Sequence, residues 1–170
     1  MSDTKIRAPR ATEILKADHD RVKALFSEYE EFGDDSALTK QGIYEELQRE
    51  LDLHAEIEEK IFYPALAGLG ESEDAPGLIA EALEDHRIVK ALLVELSLFA
   101  PEGADFDAAM QALEEEVGRH AEEEEKEIFP LFEKLSADKR NEVSEALWRT
   151  KSELADGASR EEGETGPGGR

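Results

Sequence analysis

Apolar residues recur along the chain at spacings of three and four, the repeat of one helical face, and they do so in five blocks. In the first block Thr12 is a candidate N-cap, and Leu15, Val22, Phe26 and Tyr29 share a face on which His19 fills the gap between Leu15 and Val22. Gly33, followed by Asp34-Asp35-Ser36, is expected to close this helix. The second block reads Ile43, Leu47, Leu51, His54, Glu58, Ile61, Ala65. Pro64 should kink or end it, because proline removes a backbone donor and crowds the preceding turn. Gly68 and Gly70 then open a loop to Asp74. The third block starts near Pro76, a residue suited to a first turn, and carries Ile79, Ala82, His86, Val89, Leu93 and Leu96. After the loop Ala100-Pro101-Glu102-Gly103, the fourth block carries Met110, Leu113, Val117, His120, Glu124, Ile128 and Leu131, with Pro130 placed as Pro64 is in the second. Ser136 is expected to cap a fifth, shorter helix containing Val143, Leu147, Trp148 and Leu154. Residues 1–10 read as a flexible arm, 11–155 as one helical domain, and 156–170, rich in Gly, Glu, Ser and Pro, as a disordered tail.

The blocks also repeat in pairs. Asp18-His19 through Leu25 matches Asp85-His86 through Leu92, and His54-Ala55-Glu56 through Pro64 matches His120-Ala121-Glu122 through Pro130. A duplicated helical pair closes most simply as an all-α, up-down-up-down four-helix bundle, with equivalent positions facing each other across a pseudo-two-fold axis. The fifth helix is expected to pack across that bundle.

Composition narrows the function. The formal net charge of −23 disfavours nucleic acid and anionic membranes as partners. With no cysteine, disulfides, thiolate zinc sites and Cys-ligated iron–sulfur clusters are excluded. The N-terminus has no apolar run of the signal-peptide kind, and no stretch is long enough in apolar residues to span a bilayer, so a cytoplasmic protein is expected.

The chemistry lies in the polar residues on the apolar stripes. All four histidines, His19, His54, His86 and His120, fall on the inward face of a different helix, and Glu58 and Glu124 share two of those faces. A carboxylate in a bundle core costs several kcal/mol unless a counter-charge meets it. Four imidazoles and two carboxylates suit two borderline metal ions, with iron, manganese or zinc all admissible. The expected arrangement pairs His19 with His54 and His86 with His120, with Glu58 and Glu124 bridging and positions left for a bridging oxide or hydroxide and for a small exogenous ligand. Glu59, Glu123 and Glu125 are expected on a solvated acidic face, and Asp18 and Asp85 as capping or surface charges, with orientation of a ligand histidine as their minority alternative. Tyr29 is expected in the core, with a hydrogen bond to a metal-bound ligand as the sharper alternative. A ferritin-like reading requires Glu three residues before each histidine, where this chain has Lys16, Leu51, Leu83 and Val117.

The order H…HxxxE…H…HxxxE, carried by His19, His54-Glu58, His86 and His120-Glu124, resembles the hemerythrin-like HHE cation-binding domains over roughly residues 11–135. The resemblance implies a four-helix bundle with a non-haem di-iron centre ligated by His19, His54, Glu58, His86, His120 and Glu124. It implies a function in binding dioxygen, nitric oxide or peroxide as carrier, sensor or scavenger. The alternatives are an enzyme acting on peroxide or nitric oxide, and an iron-storage or iron-delivery module. Oxygen-carrying hemerythrins have a further histidine four residues after the first in their third helix, where this chain has Lys90, and an HxxxxD pair where it has His120 and Glu124.

Overall fold

Five helical rods make up nearly all of the described residues, which in this computed structural model are 8–32, 37–69 and 73–162. Helix α1 spans Ala11–Glu31, α2 Ala37–Ile57, α3 Ala75–Leu96, α4 Ala104–Glu123 and α5 Ala137–Glu162. Two rods continue past their α-helical limits. After α2 comes a π-helical turn, Glu58–Phe62, and a last α segment, Tyr63–Ala67; after α4 come Glu124–Ile128 and Phe129–Glu133.

The first four rods run up, down, up and down. At one end Tyr29, late in α1, hydrogen-bonds Asp107 at the start of α4, and Lys40, early in α2, reaches the same carboxylate at 2.7 Å. At the other end Arg10 meets Glu133 at 2.5 Å. Helix α5 lies against α1, α2 and the π turn after α2, covering one half of the bundle.

The helix ends follow local chemistry. Arg10, not Thr12, is the N-cap of α1, and its backbone N–H donates to Glu13 Oε2 at 2.9 Å. Pro76 sits in the first turn of α3, and Ser136 Oγ accepts from the Lys139 N–H at 3.2 Å ahead of α5. The expected stop at Gly33 with Asp34, Asp35 and Ser36, the loop residue Gly70 and most of the N-terminal arm lie outside the described residues.

The π turns correct the expected stripe. Proline cannot donate to the carbonyl four residues back. Ahead of each proline the helix widens: the N–H of Tyr63 reaches Glu58 O, and that of Phe129 reaches Glu124 O, five residues back in each case. One extra residue in the turn rotates the remainder of the rod by about 100°. Phe62 and Leu66, both fully buried, therefore face the core where uniform spacing places Ile61 and Ala65, which are half-buried.

The fifth helix is also corrected. It is 26 residues long, not short, and continues through Asp156 and Gly157 to Glu162, beyond the expected start of the tail. One glycine costs a helix only about 1 kcal/mol relative to alanine, and Ala155, Ala158, Arg160 and Glu161 are good helix formers. Val143 and Leu147 of α5 are buried, while Trp148 is 47% exposed.

The core forms two apolar clusters. One is built around Ile14, Leu15, Phe62, Leu66, Phe132 and Leu147; the other around Phe26, Leu47, Leu51, Leu93, Phe106 and Leu113. Between them lies a buried polar layer containing His54, Glu58, His86, His120 and Glu124. Among the described residues no helix is long and apolar enough to cross a membrane.

Candidate metal centre

Each of the first four rods delivers a histidine to the polar layer, and α2 and α4 add a glutamate one turn later, where the π turn begins. The structure brings together all six residues singled out by spacing. Ligand-type atoms of His19, His54, Glu58 and Glu124 lie within 4.8 Å of one another, as do those of Glu58, His86 and His120. His54 Nε2 is 3.0 Å from Glu58 Oε1, and His86 Nε2 is 3.0 Å from Glu58 Oε2. His19 Nε2 is 3.2 Å from Glu124 Oε2, and His120 Nε2 is 3.9 Å from Glu58 Oε2. Glu58 thus reaches both histidine pairs, whereas Glu124 groups only with His19 and His54.

The four imidazoles are oriented alike. Every Nδ1 faces a carboxylate on another helix: His19 faces Glu125 at 2.9 Å, His54 faces Asp18 at 3.2 Å, His86 faces Glu59 at 2.8 Å and His120 faces Asp85 at 3.3 Å. A cation backs each carboxylate. Lys16 stands 3.3 Å from Glu125, Lys90 donates to Glu59 at 2.9 Å, Arg119 donates to Asp85 at 2.6 Å, and Lys151 of α5 donates to Asp18. A carboxylate that accepts from Nδ1–H leaves Nε2 as a lone-pair donor pointing inward, the tautomer a metal ligand requires.

Two expectations are overturned here. Asp18 and Asp85, expected by default as capping or surface charges, are buried against His54 and His120, which is the minority alternative. Glu59 and Glu125, expected to be solvated, hold His86 and His19. Each of these acids points away from the histidine of its own helix and toward one on a neighbouring rod, which spacing within a single helix cannot reveal. Glu123 is exposed as expected and pairs with Arg119 at 3.0 Å. Tyr29 is committed to Asp107 at the far end of the bundle.

The tyrosine at the centre is Tyr63, which spacing did not single out. Its hydroxyl lies 3.1 Å from Glu58 Oε2 and 3.0 Å from Glu124 Oε1, placing one O–H between the two carboxylates. The only sequence signal for it is a break in the repeat, Tyr63 in one half against Phe129 in the other. Phe129 stacks on His19 with ring centroids 5.9 Å apart and planes 5° from parallel.

Electrostatics separates the carboxylates. Burial pushes Glu58 up, but the adjoining His54 and His86 imidazoles outweigh it and hold Glu58 well below its ordinary value. Burial and then the Glu58 charge push Glu124 up. Burial and the two carboxylates push the Tyr63 hydroxyl far up, so it stays protonated. Among the described residues six buried atoms have no hydrogen-bond partner: the Nε2 of all four histidines, Glu58 Oε1 and Glu124 Oε2. Unpaired buried acceptors are costly, and here they converge as a mixed N and O set of the kind borderline divalent metals take. Iron, manganese or zinc fits these residues.

A duplicated helical bundle whose polar layer ends in unpaired imidazole and carboxylate atoms is a cation-binding bundle by construction. The chain belongs to the Hemerythrin HHE cation binding domain family, whose profile matches residues 10–132. It is similar to the crystal structure of a Hemerythrin HHE cation binding domain-containing protein, the Rv2633c homolog from Mycobacterium kansasii, with a TM-score of 0.78 and 26% identity over 94% of this chain and 95% of that one. It is also 24% identical over 143 residues to a protein from Nostoc sp. strain PCC 7120 described as a "DNA nickase". That match covers 84% of this chain but only 39% of the relative's length.

Proposed function

We propose that this chain is a non-haem di-iron protein that binds dioxygen or a related diatomic as carrier, sensor or scavenger. The carrying observation is the convergence of six unpartnered, buried Nε2 and carboxylate oxygen atoms on one layer of the bundle. His19 and His54 would hold one ion, His86 and His120 the other, with Glu58 between them. Such a pair supplies reversible one-electron chemistry and open coordination positions for a small ligand. A cavity of about 30 Å³ beside the four histidines, walled by Val22, Leu51, Val89 and Leu93, supports a small and largely apolar guest. The chain's own residues orient the imidazoles through Asp18, Glu59, Asp85 and Glu125, and they exclude water.

One observation favours a second reading, a di-iron enzyme acting on peroxide. Tyr63 holds a proton between the two glutamates, a donor of the kind peroxide turnover needs near the centre. Elemental analysis of the purified protein, followed by absorption spectra with oxygen, nitric oxide and peroxide, tests both. Iron bands that change reversibly with a diatomic support the first reading, and bleaching with gas evolution on peroxide supports the second. Absence of stoichiometric metal rejects both. The nicking activity named for the Nostoc protein is not carried over, since a net charge of −23 opposes a phosphate backbone.

A further inference from the structure

The two half-sites are equivalent in ligands but not in surroundings. Around Asp18, His54 and Glu58 the nearby positions are Ile14, Ile57 and Ile61; the repeat places Glu81, Glu123 and Glu127 at the equivalent positions around Asp85, His120 and Glu124. Ile14 and Ile57 are buried in one cluster with Val143 and Leu147 of α5, and Ile61 packs against it. Among the described residues no fifth helix covers the other half. There, between α3 and α4, lies a cavity of about 110 Å³ flanked by exposed Glu81, Glu123 and Glu127 and lined deeper by Asp85, His120 and Glu124.

We propose that this acidic opening is the main route by which the divalent cation reaches the centre, through the Glu124–His120 side, with α5 sealing the opposite side. The inference rests on the metal-centre reading above. The rim acids alone would be an ordinary solvated patch, but one feature of the floor and one of the rim set them apart. Glu124 and His120, 1% and 6% exposed, line its floor, and each carries a ligand-type atom, Oε2 and Nε2, without a hydrogen-bond partner. At the rim, Glu81 and Glu127 form no ion pair with any described residue, while Glu123 and Asp85 are held by Arg119 at 3.0 and 2.6 Å. The rim therefore keeps two free negative charges above a buried cation sink. Acids lining a cleft raise the local cation concentration and the association rate, and salt removes the effect. The wider groove between α1 and α4 that reaches His19 interleaves its acids with Lys16 and Lys23, and Lys16 stands 3.2 Å from Asp20 and 3.3 Å from Glu125, so its lining is mixed in charge.

The test is cobalt(II) uptake by metal-free protein, followed by stopped-flow absorbance. The double variant Glu81→Gln/Glu127→Gln should slow second-order uptake roughly tenfold at low salt, with the gap narrowing in about 1 M salt. Stoichiometry at saturation and equilibrium affinity should stay within about twofold, because a route changes loading and release together. The control Glu115→Gln/Glu122→Gln makes the same charge change beside the other groove and should leave the rate within about twofold. Unchanged uptake in the first variant, or equal slowing in both, overturns the route. Failure of the unmodified chain to take up stoichiometric cobalt overturns the metal centre itself, which keeps the two failures apart.

Discussion

Tyr63 and Phe129 hold equivalent places in the two halves, yet only one carries a hydroxyl, and that hydroxyl serves both glutamates. In Tyr63→Phe the carboxylates lose their shared donor. The metal-free protein should lose about 1–3 kcal/mol of stability in urea denaturation, and the metal-loaded protein distinctly less, because bound cations take over the carboxylate charge. Asp18 acts at one remove. It holds His54 Nδ1 while Lys151 neutralises it, so Asp18→Asn should leave the fold intact but weaken cobalt affinity by about 10–100-fold, measured by competition with a chelator. An unchanged affinity would reduce the Asp18–His54 contact to packing. The six inward residues were legible because they interrupt an apolar stripe; the acids behind them were not, because each serves a helix other than its own.

At the scale of the element, the two π turns and α5 do most to shape the site. The π turns place Glu58 and Glu124 where the helix widens, and the first exchanges Ile61 and Ala65 for Phe62 and Leu66 in the core. The prolines signalled a disturbance, but a kink, a stop and a π turn all satisfy a missing donor, and only the packing of Phe62 against Phe132 and Phe129 selects among them. Helix α5 supplies Leu147 to the apolar cluster below the centre and Lys151 to Asp18. Leu147→Ala should cost about 2–5 kcal/mol in chemical denaturation, whereas Trp148→Ala, one residue on and half exposed, should stay within about 0.5 kcal/mol. Equal costs would mean that α5 docks by a different face.

For the whole molecule, metal binding and folding are one equilibrium. The centre joins four rods that are otherwise held by two separate apolar clusters, so a bound cation ties the halves together. Metal at a hundredfold excess over its dissociation constant should add about 2.7 kcal/mol. For a chain of this size that raises the melting temperature by about 5–10 °C over chelator-treated protein, read by calorimetry. Because the imidazoles must shed protons to bind metal, the difference should shrink as the pH is lowered from about 8 toward 5. Glu58→Ala should abolish most of it, and an undiminished metal-dependent rise in that variant would remove Glu58 from the centre.

Local periodicity and the internal repeat, both properties of the chain read in one dimension, were enough to determine an all-α bundle, its duplicated plan and the six residues that meet at its centre. A helical face is a local property, and a histidine or glutamate on an apolar face has nowhere to go but inward. Which acid steadies which imidazole, that Tyr63 joins the two glutamates, and that one half is sealed by α5 while the other opens between acids were decided only when the helices packed. Those contacts join residues tens of positions apart on different rods, and their geometry depends on how the rods are rotated against one another, which no spacing along a single helix records.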